Sequence, residues 1–123
     1  MADQASAIFN VDSIIESIDK IISRSDKLTS VNDFSGECGE ILMDSIAMQI
    51  QTIGEAIKKL EKMIPNILIS VNEAEYWKKI ARMRDLISHH YTTKIDPDMI
   101  FDVAKNHVSL LKKNIIVVRG KLT

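Results

Sequence analysis

The chain is short of the residues that break or staple a fold. Among 123 residues it has one cysteine, two prolines and four glycines. Strands and tight turns use glycine and proline more than helices do, so their scarcity points to an all-α protein. The single thiol, Cys38, excludes an intrachain disulfide and suits a reducing compartment. No apolar run is long enough to span a bilayer. The opening MADQASAIFNVDSII has neither a basic leader nor an unbroken apolar stretch, as a signal peptide would. A cytoplasmic protein with no membrane partner is therefore expected. Glycine-rich phosphate loops and Ser/His/Asp nucleophile arrangements are absent from the sequence. Three histidines and no cysteine cluster argue against a metal site, and no cofactor is implied.

What is present fits one ordinary globular domain over residues 1–123. Apolar residues make up 46% and charged residues 27% of the chain, and the length suffices for a sizeable core. A net charge of −1 conceals an imbalance. Residues 1–55 hold ten acidic and three basic side chains, net −7, whereas residues 56–123 hold seven and thirteen, net +6. The densest basic patch is WKKIARMR, with Lys78, Lys79, Arg82 and Arg84. Such a patch on a helix is commonly a solvated face, though it also offers a local attraction to a polyanion.

Periodicity defines four helices. Val11, Ile14, Ile15, Ile18, Ile21 and Ile22 recur at helical spacing and mark a first helix, fading after Arg24. SRSDKLTSVNDFSGE reads as a loop pinned to the core by Leu28, Val31 and Phe34. A second helix starts near Glu37, with Asp33 or Ser35 as its cap. It carries Ile41, Ile46, Ile50, Ile53, Ile57, Leu60 and Ile64, and Pro65 ends it. Gly54 inside it reads as a notch for a neighbouring helix. After the connector PNILISVN, Asn72 and Glu75 have the spacing of a capping box for a third helix from about Glu73. Asp96 followed by Pro97 opens the fourth, which carries Ile100, Phe101, Ala104, Val108, Leu111 and Ile115. The expected architecture is an antiparallel four-helix bundle, with room for an extra short helix.

The chemistry-bearing stretch is MRDLISHHY, Met83 to Tyr91. At about 100° per residue, Tyr76, Ile80, Met83, Ile87 and His90 form one stripe, with Arg84 and Tyr91 at its edge. His89 is splayed from Arg84 by roughly 140°, so a site using both needs a distorted helix end or a second copy of the chain. Asp85 and His89, four apart, share a face, which lets the carboxylate orient the imidazole. His90 and His107, both beside apolar positions, read as core histidines, and Met63, Met83 and Met99 as core filler.

Arg84, four residues, His89, one residue, Tyr91: this pattern resembles the motif of the HEPN superfamily in the form found in HepT toxins. These toxins pair with a minimal nucleotidyltransferase antitoxin. IGEAIKKL (Ile53–Leu60), Trp77 ahead of the arginine and the IDP turn after the tyrosine agree with it. The resemblance spans most of the chain and is looser over the first 35 residues. It implies a HEPN-like bundle and a metal-independent endoribonuclease, built as a homodimer with the two motifs facing across a cleft. In that picture Arg84 stabilises the RNA phosphate, and His89, or its neighbour His90, does acid–base work with Asp85 orienting it. Lys78, Lys79 and Arg82 guide RNA, and Tyr91 takes AMP from the antitoxin. The alternative is a non-catalytic HEPN module that binds a nucleotide or a nucleotidyltransferase partner. A purely structural bundle is the third reading.

Overall fold

The computed structural model describes residues 2–89 and 95–123, with the backbone alone for Ala2, Asp3, Ser88 and His89. Helix α1 spans Ala2–Ser25, α2 Gly36–Met63, α3 Ala74–His89, α4 Pro97–Asp102 and α5 Val108–Leu122. A 3-10 turn, Val31–Phe34, supplies the extra short helix, and a π turn, Val103–His107, joins α4 to α5. No strand occurs among the described residues, and the all-α bundle is as expected.

Each long helix buries a stripe with alternating spacings of three and four. In α1 it is Ala7, Val11, Ile14, Ile18 and Ile21; in α2, Ile46, Ile50, Ile53, Ile57 and Leu60. In α5 it is Val108, Leu111, Ile115, Val118 and Leu122. That rhythm is the seam of helices packed at shallow angles, where every knob finds a hole in its neighbour. The stripes of α1 and α5 pack antiparallel, tied by Arg119 to Asp12 at 2.6 Å and Lys112 to Asp19 at 2.8 Å. α2 lies against both α1 and α3. Asn10 donates to the Ala56 carbonyl at 2.6 Å, which sets the α1–α2 register.

Several local expectations need correction. α1 begins well before Val11, because Ala7 continues its buried line by one turn. Ile41 is 62% exposed, since it falls on the far side of α2 from the line that Met43 and Ile46 turn to the core. Asn72 accepts from the Glu73 amide at 2.8 Å instead of forming a box with Glu75, whose carboxylate turns to Arg82. His107 is not a core histidine. It stands exposed on the π turn, and its Nε2 lies 2.8 Å from Asp102. The π turn itself has a simple cause. Ile100, Ala104 and Val108 are all buried, and eight residues exceed two α turns by nearly one residue. The wider turn absorbs the excess.

The ends of the helices hold as their residues predict where polar groups can reach. Asp96 accepts from the Asp98 amide at 3.0 Å, with Pro97 in the first turn of α4. Asp33 does not cap α2, whose N-cap is Ser35 without a side-chain bond; it gathers the amides of Thr29 and Ser30 at 2.7 and 3.2 Å, closing the 3-10 turn. These donors hold its carboxyl below the usual carboxylate range. Gly39 lets that turn lie directly on α2, because a Cβ there would sit 2.5 Å from the Asp33 carbonyl oxygen. Leu28 and Phe34 are buried as expected, while Val31 is half-buried.

Candidate active site at the seam of α2 and α3

The described part of the anticipated α3 stripe faces the core, and Trp77 joins it. Trp77, Ile80 and Ile87 are buried, while Tyr76 and Met83 are half-buried on its flank. The spacing 77, 80, 84, 87 places Arg84 in a position that the other helices fill with Ile, Val or Leu. An arginine in that slot needs space from the facing helix. Gly54 provides it: a Cβ at residue 54 would lie 2.3 Å from the Cβ of Arg84 and 2.6 Å from its Cγ. The stem of Arg84 thus crosses α2 over Gly54, and the side chain is 24% exposed.

Its guanidinium emerges between two carboxylates. Nη2 donates to Glu55 Oε1 at 2.7 Å and Nη1 to Asp85 Oδ1 at 3.0 Å. Lys58, one turn beyond Glu55 on α2, reaches the same Asp85 oxygen at 3.2 Å. Charges therefore alternate from Glu55 to Arg84, Asp85 and Lys58, and the cluster is neutral. The Arg84 hydrogen bond holds Glu55 below its ordinary value, with further help from the arginine's charge. Asp85 is lowered first by Arg84 and then by Lys58. Glu55 and Asp85 in turn raise Arg84, which stays charged at any working pH. Arg84 Nε is buried with no hydrogen-bond partner among the described residues.

The remaining anticipated residues divide cleanly. Lys78, Lys79 and Arg82 are exposed on the side of α3 turned away from Gly54, and Arg82 is paired with Glu75 at 2.9 Å. They do not gather around Arg84. The side chain of His89, and the whole of His90 and Tyr91, lie outside the described residues. The placing of His90 on the core stripe and of His89 beside Asp85 lies outside them too. Sequence reasoning missed Glu55 and Lys58. The signal was available in Gly54 and the glutamate after it, within IGEAIKKL.

A groove of about 220 Å³ is lined by Asp44, Ala47, Met48, Ile87 and Ile95. Met48 and Leu86 are 58% and 46% exposed. Among the described residues, no group of three or more His, Cys, Asp or Glu side chains is arranged to hold a metal ion. None of the described helices is long and apolar enough to cross a membrane.

The fold and site define a helical bundle with an arginine built into the seam between two helices. The comparison with known families gives this a specific identity. The family model described as ribonuclease HepT-like matches residues 14–118, and the chain belongs to that family. No solved structure matches the chain.

Proposed function

We propose that the protein is a metal-independent endoribonuclease toxin that cuts RNA at a homodimer cleft. The observation that carries the reading is Arg84. In a chain of the ribonuclease HepT-like family, it is, among the described residues, the one arginine seated on a glycine at a helix seam, with its guanidinium directed outwards between carboxylates. A guanidinium so held can bind a bridging phosphate and stabilise the charge that builds on its oxygens. His89 takes a proton from the ribose 2′-hydroxyl or gives one to the departing 5′-oxygen. The 2′-oxygen bonds to phosphorus as the 5′-oxygen bond breaks, leaving a 2′,3′-cyclic phosphate and a 5′-hydroxyl.

The register of α3 supports the dimer. Residues 84 and 89 diverge by roughly 140° on a straight helix, so Arg84 of one chain meets His89 of the other more readily than its own. The exposed Met48 on α2 and Leu86 on α3 suit a two-fold contact. Tyr91 is the point where a nucleotidyltransferase antitoxin attaches AMP. The added bulk and negative charge obstruct the cleft and compete with RNA phosphate for Arg84.

The test uses purified protein and end-labelled single-stranded RNA in excess EDTA. Wild type is compared with Arg84→Ala, His89→Ala and His90→Ala, each checked for folding. Cleavage that survives EDTA and is lost with Arg84 and with one histidine is the expected result. Folded protein that never cuts RNA would instead favour the module that binds a nucleotide or its transferase. In cells carrying the antitoxin, Tyr91→Phe should stay toxic where wild type is silenced. Silencing of that variant through another residue would sink the assignment of Tyr91.

A further inference from the structure

We infer that Glu55 is a positioning residue for the reaction, fixing the plane and direction of the Arg84 guanidinium from the opposite helix. The inference rests on the ribonuclease reading and extends it to a residue outside the Arg-x4-His-x-Tyr motif. Arginine has four torsions between its backbone and its charged fork, and an exposed guanidinium ordinarily samples many orientations. Here three constraints act together. Gly54 lets the Cβ and Cγ of Arg84 lie on the α2 backbone, which fixes where the stem starts. Asp85 takes a hydrogen from Nη1. Glu55 takes one from Nη2 at 2.7 Å, the shorter of the two bonds.

Asp85 cannot do this alone. It is the next residue on the same helix, and it is shared with Lys58. A single contact to one Nη leaves the fork free to turn about that bond. The second contact, to the other Nη and from the other helix, stops the rotation. Two of the four Nη hydrogens are then taken, and two remain for a phosphate. Glu55 is placed to do this by its own chain neighbour, because the glycine that admits the stem directly precedes the carboxylate that receives the head. Lys58 plays the matching part for Asp85, holding it from one turn further along α2. The alternative sense of the same contact is restraint: Glu55 would compete with RNA for Arg84, and its removal would speed cleavage. The two senses predict opposite changes.

The test compares wild type, Glu55→Ala and Glu55→Gln. Glu55 is exposed and alanine favours helix, so both variants are expected to fold. The first readout is NMR of the Arg84 side chain, assigned by its disappearance in Arg84→Lys. Separate Nη proton signals are expected in wild type and in Glu55→Gln, whose amide oxygen still accepts. They should merge in Glu55→Ala, where the fork rotates. The second readout is RNA cleavage. Glu55→Ala should lose roughly ten- to a hundredfold in kcat, the scale of misplacing a reacting group by about 1 Å. KM should stay level or fall, because a negative charge has left the phosphate site. Glu55→Gln should recover most of kcat. An unchanged or raised kcat in Glu55→Ala, a rise in KM alone, or Nη signals that stay separate there would overturn the assignment. If wild type cuts no RNA, the ribonuclease reading fails by itself, and the NMR readout alone decides whether Glu55 holds Arg84.

Discussion

Gly54 and Arg84 are a pair, and neither is explained without the other. An arginine in a core position is costly unless its stem finds apolar surface and its head finds water or partners. The 2.3 Å that would separate a residue-54 Cβ from the Arg84 Cβ leaves no room for even one methyl. Both atoms are anchored directly to backbone, so neither can turn aside. Gly54→Ala therefore sets a gain in helix propensity of about 1 kcal/mol against overpacking of about 1–3 kcal/mol. We expect net destabilisation by urea titration, together with loss of RNA cleavage through displacement of the guanidinium. A stabilised variant with full activity would show that the seam opens easily. Arg84→Lys makes the complementary point. A lysine keeps the charge but cannot span Glu55 and Asp85 with two nitrogens, so cleavage should fall at least about tenfold at unchanged fold. His107 is the opposite lesson. Its apolar neighbours suggested burial, yet the π turn rotates it outwards to Asp102, and no single-residue pattern signals that shift.

The helices themselves were legible because their cores repeat without interruption. Ile46 to Leu60 on α2 and Val108 to Leu122 on α5 hold one spacing throughout, so their faces can be assigned by counting. On α3 the count found Ile80 and Ile87 but missed Trp77 and Arg84, for a physical reason. Arg84 is charged and only half-buried, so a reading guided by hydrophobicity sees Tyr76 and Met83 beside it and passes it over. Trp77 was the corrective signal, since it is buried and its indole donates to the Leu68 and Asn72 carbonyls at 2.8 and 3.2 Å. Those bonds fasten the connector after α2 to the start of α3 and so set the height of Arg84 against Gly54. Trp77→Phe loses both and leaves the Leu68 carbonyl without its indole donor. The Leu68 carbonyl keeps the Val71 and Asn72 amides, so the loss should cost about 0.5–1.5 kcal/mol and weaken the seam locally. Hydrogen exchange should rise most in residues 65–80. A uniform rise over the whole chain would show that the connector has no independent part in holding α3. Cap chemistry was easier to read. The Asp96–Pro97 start of α4 appears as its sequence requires, and Asp96→Ala should cost roughly 1 kcal/mol.

The charge imbalance between the two halves of the chain takes on its meaning only in the assembled bundle. The acidic first half contributes Asp12, Asp19 and Glu55, and the basic second half contributes Arg119, Lys112 and Arg84. The pairs join α1 to α5 and α2 to α3, so part of the positive excess is answered internally and is not free to attract RNA. Such pairs are exposed and individually weak in salt. Their pH dependence nevertheless has a definite sign. Asp12 is held below the carboxylate range by Arg119, Glu55 by Arg84, and Asp85 by Arg84 and Lys58. A carboxylate with a lowered folded-state value adds stability that is complete above its unfolded value, about 4, and lost as pH falls through the folded one. The melting temperature, followed by circular dichroism, should therefore be nearly level from about pH 7 to 5 as far as these groups decide it. It should then fall below about pH 4, as the unfolded chain takes up protons that the folded chain refuses. Glu55→Gln removes one of the responsible groups and should make that acid fall shallower, while Ser109→Ala, on the exposed face of α5, should leave it unchanged. An equally steep fall in Glu55→Gln would mean that Arg84 does not hold the folded-state charge of Glu55. The seam would then be kept together by the packing of Trp77, Ile80 and Ile87 and by the Lys58–Asp85 pair.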